Sequence, residues 1–374
     1  MRVLIDYRPA LRARSGVGEY VHQLVTALAA AKASSNGVDI TIFSSSWKDR
    51  LHPSPDLDGT SAIDLRIPVS ILNRIWHRLE WPPAEALARS SFDVTHSLHP
   101  LLMPARDAAQ VITIHDLNFL AHPERTRAEI RRDYPVLARD HAQRADAIVV
   151  PSQFTASEVV RQLEVPMDRI SVCSPGAPNW PARTSAPQAG YILFLGTLEP
   201  RKNVGALLDA YEQLITRRPL PELVLAGQAT SESARWLDRI EKPPLAGHVR
   251  HVGYVDPSNR REIYSGASLL VQPSFEEGFG IPVLEAMTIG VPVIVANRGA
   301  LPEVAGDAGL LFDPEQPREL AAHIDRVLTD APFAAARARA GVERSRNFRW
   351  TETAARVVDV YRKAIERRTR ADRH

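Results

Sequence analysis

Two glutamates, Glu277 and Glu285, are separated by seven residues in a segment whose composition suggests a binding site. Gly278 and Gly280 lie between them and allow a backbone to approach a ligand closely. Pro282 suits the first position of a helix, and such a helix start presents free N–H groups that attract anions. Two carboxylates facing one site are good acceptors for the vicinal hydroxyls of a ribose or hexose. Acids also favour helix starts through the helix dipole alone, so the prediction depends on the whole pattern.

Residues 196–203 (GTLEPRKN) form a second candidate segment, which follows a predicted strand. Gly196 lies at the exit of that strand, and the adjacent cations Arg201 and Lys202 precede a predicted helix. Two cations at such a place would stabilise a diphosphate as negative charge develops on it. The alternative is a solvated basic turn, which accounts for most Arg-Lys pairs.

Single residues at the ends of other predicted strands are weaker candidates. His115 follows the strand at residues 111–114, where a lone histidine is more often structural. His96 and His99 also lie at a strand end and are candidates to line an acceptor site. Tyr254 follows a strand that ends in glycine, where simple packing is as common as ligand contact.

Gly16 and Gly18 precede a predicted helix and superficially suggest a dinucleotide fingerprint. The third glycine position of that fingerprint is occupied by Val21, and about nine residues separate the motif from its strand. A nicotinamide dehydrogenase is therefore disfavoured.

These candidates must be positioned by alternating strands and helices. Short β-branched runs alternate with amphipathic segments along the chain, which predicts parallel sheets covered on both faces. The predicted helices of the first half include residues 19–31, 124–144 and 152–163. Its predicted strands are residues 3–6, 38–43, 62–67, 92–96, 111–114, 147–150 and 170–174. In the second half, the predicted strands are residues 191–195, 204–216, 222–226, 249–252, 269–272, 293–296 and 309–312.

A Pro- and Ala-rich stretch at residues 174–190 shows neither the helical nor the alternating pattern of apolar residues, and it is interpreted as a linker. We therefore predict an N-terminal acceptor domain at residues 1–180 and a C-terminal donor-binding domain at residues 190–349. A final helix at residues 350–374 is expected to cross back to the N-terminal domain. Two doubly wound domains would bind ligands in a cleft at the carboxyl ends of their strands.

The bulk composition agrees with this organisation and excludes several functions. The chain has 374 residues, enough for two domains, with 44% hydrophobic and 24% charged residues. A net charge of +2 is too small to argue for nucleic acid. Cys173 is the only cysteine, which excludes an internal disulfide framework and any thiolate metal site. The start of the chain has no apolar signal-peptide core, and no apolar run approaches the ~20 residues that span a bilayer, so a cytoplasmic protein is expected.

Residues 67–83, from Ile67 to Pro83, combine apolar and basic side chains at helical spacing, with tryptophans near the edges. Such a helix could rest on an anionic lipid surface as a peripheral membrane contact. The alternative is a helix packed on its own domain, which is slightly favoured because amphipathic helices usually face a core.

The segment from Ser274 to Glu285, followed by Gly-Val-Pro-Val at residues 290–293, resembles the Glu-x7-Glu signature of family-4 retaining glycosyltransferases. The resemblance extends over most of the chain. It implies the α/β fold called GT-B, in which two Rossmann-like, doubly wound domains face each other across a cleft.

The resemblance also implies a role for each candidate residue. Glu277 would approach the donor sugar, and Glu285 would hold the ribose hydroxyls. Lys202 would lie against the donor phosphates. Many members carry an arginine where this chain has Thr197, so Arg201 is the candidate for the second charge. The other implied donor-site positions are the glycine-rich loop at Gly16 and Gly18, His115 near the reacting centre, Gly196, Tyr254 at the base, and the backbone of Phe279, Gly280 and Ile281.

The implied reaction transfers a hexose, with retention, from a nucleotide-sugar donor to a glycan or polyprenyl-linked acceptor in surface polysaccharide biosynthesis. The phosphate loop resembles that of bacterial enzymes that often use mannose donors, so GDP-mannose is favoured over UDP-glucose or another hexose donor. No metal or other cofactor is expected, because side chains and helix termini neutralise the phosphates. A non-catalytic sugar-nucleotide-binding protein and a sugar-nucleotide epimerase on the same fold remain alternatives.

Overall fold

The computed structural model describes residues 1–11, 14, 16–32, 37–52, 54–121 and 128–371. These residues form two compact units. The first unit comprises Met1–Gly176 together with Arg349–His374, and the second comprises Ala177–Phe348.

Continuous apolar runs in the first unit form a wholly parallel sheet. Val3, Leu4 and Ile5, for example, are fully buried in its first strand, which is what a sheet covered on both faces requires. The strands are β1 (Arg2–Asp6), β2 (Asp39–Ser45), β3 (Ser61–Leu65), β4 (Val94–Ser97), β5 (Ala109–Thr113), β6 (Ala147–Val150) and β7 (Ile170–Val172). Among the described residues their order is β3-β2-β1-β4-β5-β6-β7, so the strand order reverses between β1 and β4.

The helices of the first unit include one from the far end of the chain. They are α1 (Val17–Lys32), α2 (Val69–Leu79), α3 (Ala84–Ala88), α4 (Asn118–Ala121), α5 (Ala128–Arg144), α6 (Gln153–Leu163) and α14 (Trp350–Ala371). The buried residues of α14 recur at helical spacing and join the core that Tyr20 and Leu24 of α1 help to form. The α14 hydroxyl of Tyr361 lies 2.8 Å from Nδ1 of His96, which ties this helix to β4.

The second unit repeats the same construction. Its strands are β8 (Tyr191–Leu195), β9 (Leu223–Ala226), β10 (Val249–Gly253), β11 (Ala267–Gln272), β12 (Val293–Ala296) and β13 (Leu310–Phe312). Its helices are α7 (Val204–Ile215), α8 (Ala234–Ile240), α9 (Arg260–Ser265), α10 (Ile281–Ile289), α11 (Leu301–Ala305), α12 (Pro317–Thr329) and α13 (Ala331–Ser345). The strands described there are parallel in the order β10-β9-β8-β11-β12-β13. The order reverses between β8 and β11, and ligands of open α/β sheets bind at the carboxyl ends of strands at such a point.

The segment interpreted as a linker packs with the second unit from Ala177 onwards. The Ala177 N–H donates to the Phe348 carbonyl at 2.9 Å, and Trp180 packs against the core of this unit. The Arg183 guanidinium donates to the Ala267 carbonyl at 2.5 Å. The second unit therefore begins 13 residues before the predicted position of 190, because main-chain hydrogen bonds hold this Pro-rich segment without regular secondary structure.

The strand predicted at residues 204–216 was wrong. That run is helix α7, and it buries Val204, Leu207, Leu208, Tyr211 and Leu214, which recur at the three- and four-residue spacing of a helix. Its length also exceeds that of most strands. The helix predicted at residues 124–144 is described only from Ala128, and the first part of that prediction lies outside the described residues.

Gly227 marks a close approach between β8 and β9. Its φ is +142°, and its N–H donates to the Gly253 carbonyl at 2.7 Å. An added Cβ would overlap the carbonyl oxygen of Gly196, so the backbone after β8 can lie where it does only because residue 227 has no side chain.

We predict that Gly227→Ala lowers the free energy of unfolding by about 3 kcal/mol or more, because backbone strain and steric overlap add. Gly247→Ala is the matched control. Gly247 has a φ of +79° in the same unit, but an added Cβ meets nothing within 4 Å, so strain alone should cost about 1 kcal/mol. Guanidinium titration of both variants measures the difference, and equal losses would contradict the steric argument.

Candidate active site

The strand reversal in the second unit brings the two predicted segments together. Residues 196–203 follow β8 and residues 273–280 follow β11, and these strands are neighbours in the sheet. Lys202 Nζ donates to Glu277 Oε1 at 2.5 Å, although 75 residues separate them. Both side chains are largely buried, with 11% of Lys202 and 9% of Glu277 exposed. The central pair of predicted residues therefore forms a buried ion pair at the place where this fold binds ligands.

Glu277 receives two further hydrogen bonds at the same oxygen. Ser274 Oγ donates to Oε1 at 2.8 Å, and Gln272 Nε2 donates to it at 2.9 Å. Burial by itself raises the pKa of this carboxyl. Attraction to Lys202 and Arg201, with the hydrogen bonds from Lys202 and Ser274, overcomes that effect and lowers the pKa of Glu277 to about 2. Burial lowers the pKa of Lys202, while Glu277 opposes that shift.

Arg201 borders the same carboxylate but is bonded elsewhere. Its Nε donates to Glu199 Oε1 at 2.6 Å, and its Nη1 donates to the Glu276 carbonyl at 3.3 Å. The distance from Nη1 to Glu277 Oε2 is 3.7 Å, beyond hydrogen-bond length. The Phe275 N–H also donates to the Arg201 carbonyl at 2.8 Å. The loop after β8 is thus bonded to the loop after β11, and two cations lie beside one buried acid.

Gly196 lies beside the stem of Lys202. An added Cβ at Gly196 would lie 3.7 Å from Lys202 Cε and 3.5 Å from the Phe194 ring, which is ordinary contact. The Gly196 N–H donates to the Ala226 carbonyl at 2.8 Å. Gly196 therefore lies beside Lys202, and the strict requirement for glycine falls on Gly227 opposite it.

The loop between Glu277 and α10 ends at a glycine with a positive backbone torsion. Gly280 has a φ of +112°, and an added Cβ would lie 2.9 Å from Leu301 Cδ2. Phe279 turns its side chain inward, edge-on to Phe348 with ring centroids 5.7 Å apart, so only its backbone can face a ligand. Ile281 begins α10 and is half-buried, with Pro282 in its first turn. The helix start predicted from Pro282 is therefore present.

Glu285 has partners that sequence reasoning missed. Tyr264 OH donates to Oε2 at 2.7 Å, and Arg260 Nη1 donates to Oε1 at 3.2 Å. Both partners are buried on α9, one helical turn apart. The local sequence offers one signal, an Arg and a Tyr four residues apart. That spacing does not identify a residue of α10 as their partner. Tyr254 lies half-buried beyond the end of β10, two strands from β8.

In the first unit, His115 is partly buried, and one of its ring nitrogens is bonded to a main-chain carbonyl. Its Nε2 donates to the Leu98 carbonyl at 3.2 Å, which leaves Nδ1 as the acceptor in the neutral ring. Burial lowers the pKa of His115 to about 4, so the ring is neutral at neutral pH. Tyr20 packs against it edge-on, with ring centroids 4.8 Å apart.

Gly16 and Gly18 begin α1 in the same unit. Gly16 has a φ of +51°, and an added Cβ at Gly18 would lie 2.8 Å from the Pro9 carbonyl oxygen. Glycine is therefore favoured at residue 16 by its backbone torsion and required at residue 18 by the lack of space for a side chain.

His96 is a core residue rather than part of an acceptor surface. It is fully buried, with Nδ1 2.8 Å from Tyr361 OH and Nε2 2.8 Å from Thr113 Oγ1. Burial lowers its pKa to about 3. Both nitrogens are occupied, so the expectation that it lines an acceptor site was wrong.

A buried acid missed by the sequence prediction lies at the β1/β4 reversal. Asp6 ends β1, is fully buried, and accepts from Arg8 Nη2 at 2.6 Å and from His99 Nε2 at 3.1 Å. The Leu101 N–H donates to Nδ1 of His99, so Nε2 carries the ring proton. Burial raises the pKa of Asp6, but Arg8 and His99 more than offset this and lower it. An acid that ends an apolar strand was the available signal.

One group among the described residues has metal-ligand spacing: Glu80, Asp140 and His141. The Leu102 N–H donates to His141 Nδ1 at 2.8 Å, so Nε2 of the neutral ring carries the proton and offers no lone pair. Arg144 also occupies Glu80 and Asp140, at 2.6 and 2.8 Å. The chemistry of this donor set does not suit a cation.

Helix α2 divides its apolar residues between the core and the surface. In α2, Leu72 and Trp76 are buried, whereas Ile71 and Leu79 are 51% and 70% exposed, and Trp81, two residues after the helix, is 65% exposed. The favoured interpretation of a helix packed on its own domain therefore accounts for only part of the segment. No helix in the described part of the chain is both long and apolar enough to span a bilayer.

Comparison with known proteins agrees with these observations. A family model described as Glycosyltransferase Family 4 matches residues 14–178, and one described as Glycosyl transferases group 1 matches residues 179–344. An O-antigen chain mannosyltransferase B of Escherichia coli is 30% identical over 383 positions, which cover 97% of this chain and 100% of that protein. A glycogen synthase of Mycobacterium tuberculosis is 28% identical, with 96% of this chain and 94% of that protein covered.

Two solved structures are similar over nearly the whole chain. The sucrose-phosphate synthase of Thermosynechococcus elongatus has a TM-score of 0.79 at 22% identity, covering 97% of this chain and 98% of that one. WaaG, a glycosyltransferase involved in lipopolysaccharide biosynthesis, has a TM-score of 0.69 at 16% identity, covering 96% and 99%. The two Rossmann-like sheets thus have the GT-B fold of glycosyltransferases. The chain belongs to family 4 of the glycosyltransferases.

We predict that the ion pair contributes stability that acid removes. The pKa of Glu277 is about 2 against an ordinary value of 4.5, which corresponds to about 3 kcal/mol. Because the folded-state pKa is depressed, this stability is present above pH 4.5 and is lost as the pH falls towards 2. The difference in unfolding free energy between wild type and Glu277→Gln should therefore shrink over that window. A difference that stays constant in denaturant titrations from pH 7 to 2.5 would contradict the pairing.

Proposed function

We propose that this glycosyltransferase transfers a mannosyl group from GDP-mannose, with retention, to a glycan or polyprenyl-linked acceptor in surface polysaccharide biosynthesis. The observation that carries the proposal is the adjacency of Lys202, Arg201 and Glu277 at the β8/β11 reversal. Two cations suit a diphosphate, and a carboxylate beside them suits the hydroxyls of the attached sugar. The mannosyl choice is supported by similarity to the O-antigen mannosyltransferase and to the serotype-specific mannosyltransferase WbdA of Escherichia coli, which is 27% identical over 74% of this chain.

The donor would take the place of contacts that these side chains make with each other. Lys202 would exchange Glu277 for the phosphates, and Arg201 would add the second charge. Glu277 would then accept from a sugar hydroxyl. The start of α10, with the backbone of Phe279, Gly280 and Ile281, favours negative charge through its dipole. Glu285 would accept from the ribose hydroxyls, Gly196 would border the phosphates, and Tyr254 would lie near the base.

In the proposed reaction, the bond between the anomeric carbon and the phosphate oxygen breaks as the acceptor oxygen bonds to the same face of that carbon. The acceptor proton passes to the departing phosphate, which Lys202 and Arg201 stabilise electrostatically. In this proposal His115, which is neutral, accepts a hydrogen bond from the donor sugar at Nδ1. The loop at Gly16 and Gly18 would cover the phosphates and acceptor. No metal or other cofactor is proposed, because two cationic side chains and a helix start supply the positive charge.

UDP-glucose is the competing donor. The glycogen synthase of Mycobacterium tuberculosis is 28% identical over nearly the whole chain, which supports a glucosyl donor on the same site. The phosphate and ribose contacts proposed above are common to both donors. Only the base and the sugar distinguish them.

We predict that GDP-mannose raises the melting temperature in a panel with UDP-glucose, UDP-galactose and NAD, because a ligand that binds only the folded state stabilises it. The shift should persist in excess EDTA.

Proton NMR of the glycoside product should show the anomeric configuration of the donor. A larger shift with UDP-glucose would replace the mannosyl assignment, and inversion or loss of turnover in EDTA would contradict the mechanism.

We predict that Glu277→Gln reduces turnover about 100-fold or more, because the amide keeps the shape but loses the carboxylate that meets the sugar. Glu276→Gln is the matched control, since it makes the same charge change one residue away and should stay near wild-type turnover. Circular dichroism confirms that each variant is folded. Equal turnover in the two variants would refute the site.

We further propose that residues 67–83 rest on an anionic membrane surface, which would place the enzyme at the inner face of the cytoplasmic membrane. Exposed Ile71, Leu79 and Trp81 lie near exposed Arg74 and Arg78, and this combination suits lipid headgroups with acidic charge.

We predict that wild type sediments with phosphatidylglycerol vesicles at low salt but not with phosphatidylcholine vesicles. A triple variant with serine at residues 71, 79 and 81 should lose this binding. The control replaces Val136 and Met167, which are 72% and 48% exposed elsewhere on the same unit, with serine and should bind as wild type does. If wild type stays in the supernatant, or the control loses binding equally, the membrane proposal fails.

A further inference from the structure

Gln272 is a polar residue at a position where the strand otherwise requires apolar ones. It ends β11, which lies between β8 and β12, and it pairs with Val295. The three preceding residues, Leu269, Leu270 and Val271, are fully buried, and so is Gln272. Burying a side-chain amide costs free energy unless its donors and acceptor are satisfied. Packing alone therefore does not account for glutamine here.

The amide donors of Gln272 are directed at Glu277. Nε2 lies 2.9 Å from Glu277 Oε1 and 3.1 Å from Ser274 Oγ, and that hydroxyl itself donates to the same carboxylate oxygen. Glu277 Oε1 thus has two neutral donors in addition to Lys202. These neutral donors belong to β11 and to the residues directly after it, so they are fixed by the sheet.

The acceptor oxygen of the Gln272 amide is not satisfied within the described residues. A buried oxygen without a hydrogen-bond partner destabilises the fold. A contribution to folding stability therefore does not explain the presence of glutamine at this position. The amide therefore contributes to this site through its nitrogen, which is bonded to Glu277 Oε1 and Ser274 Oγ.

The neutral donors matter most when Lys202 leaves. In the proposed function, Lys202 turns from Glu277 to the donor phosphates, and Oε1 then loses its cationic partner. Gln272 and Ser274 keep Oε1 in place, and Oε2 stays directed away from them, 3.7 Å from Arg201 Nη1. The carboxylate can then present Oε2 to a sugar hydroxyl without reorienting.

We infer that Gln272 is a positioning residue for Glu277, which holds one carboxylate oxygen so that the other meets the donor sugar. The inference rests on the proposed function. It predicts that losing the amide impairs sugar recognition and turnover, while the nucleoside diphosphate binds as before.

Gln272→Met tests this, because methionine preserves the length and most of the volume without a donor. We expect turnover of the preferred sugar nucleotide to fall about 10- to 100-fold. The affinity for the nucleoside diphosphate alone, measured by calorimetry, should be unchanged, and the melting temperature should not fall. Thr288→Val is the matched control, since it removes a buried hydroxyl whose one hydrogen bond in the described part of the chain goes to the Leu284 carbonyl, and it should keep wild-type turnover.

Gln272→Glu distinguishes the positioning role from a purely structural one. A purely structural role would not change how turnover depends on pH. A protonated Glu at position 272 can donate to Glu277 as the amide does, whereas an ionised one repels it. The other charged groups facing this position are Lys202 and Arg201, with Glu199 behind Arg201. Turnover of this variant should therefore fall as the pH rises across a range in which wild type changes little.

Wild-type turnover by Gln272→Met, or a Gln272→Glu profile parallel to wild type, would overturn the positioning role and leave the proposed function intact. Equal loss of nucleoside diphosphate affinity and turnover in Gln272→Met would also overturn it, because it would indicate general damage. If wild type binds none of GDP-mannose, UDP-glucose and UDP-galactose, the proposed function and this inference fail together.

Discussion

A buried carboxylate and a buried ammonium are each costly to hold in a protein, and the second unit is built so that Glu277 and Lys202 compensate each other. Removing Glu277 takes the carboxylate away from Lys202, and removing Lys202 leaves Glu277 with the longer contact to Arg201, 3.7 Å away, in a site with little solvent. The pair is stable without a ligand, yet both members have the chemistry that a sugar diphosphate requires. A donor can therefore replace one ionic partner by another instead of desolvating bare charges at the moment of binding.

The position of this pair follows from the order of the strands. In both units the strand order reverses once, between β1 and β4 and between β8 and β11. A buried charged pair lies at each reversal: Asp6 with Arg8 in the first unit, and Glu277 with Lys202 in the second. The loops after neighbouring strands meet there, and residues such as Gly227 allow the backbones to come close enough. The chemistry of the site is thus a consequence of the parallel sheet.

Much of this fold was predictable because buried strands can be recognised as continuous apolar runs in the sequence. The fully buried runs that form β1 and β8 were recognised as strands, and the GT-B fold was confirmed. The apolar run at residues 204–215 shows the limit, since Val204, Leu207 and Leu208 are as apolar as a strand and only their spacing identifies α7. The start of the second unit at Ala177 could not be read from the sequence, because the bonds of Arg183 to β11 have no counterpart in the local sequence.

The site was predictable where a single segment carried the pattern, as for Glu277, Lys202 and Gly280. The role assigned to each of these residues stays a prediction. Partners contributed by another element were missed. Gln272 was predicted as the end of a strand, and Arg260 and Tyr264 were not singled out, because only the fold brings these residues to Glu277 and Glu285. His96 was misjudged for the opposite reason, since its two hydrogen-bond partners in the core are distant in sequence.

The most direct test of the account is a double-mutant cycle between Lys202→Met and Glu277→Gln, measured on unfolding free energy with and without saturating GDP. Without ligand, the coupling between the two residues should be about 2 kcal/mol or more, as for buried charges in contact. With GDP bound, the coupling should fall markedly, because Lys202 has turned to the phosphates, and GDP should stabilise Lys202→Met far less than wild type. The same coupling with and without GDP, with equal stabilisation of wild type and Lys202→Met, would contradict the claim that this pair is the donor site.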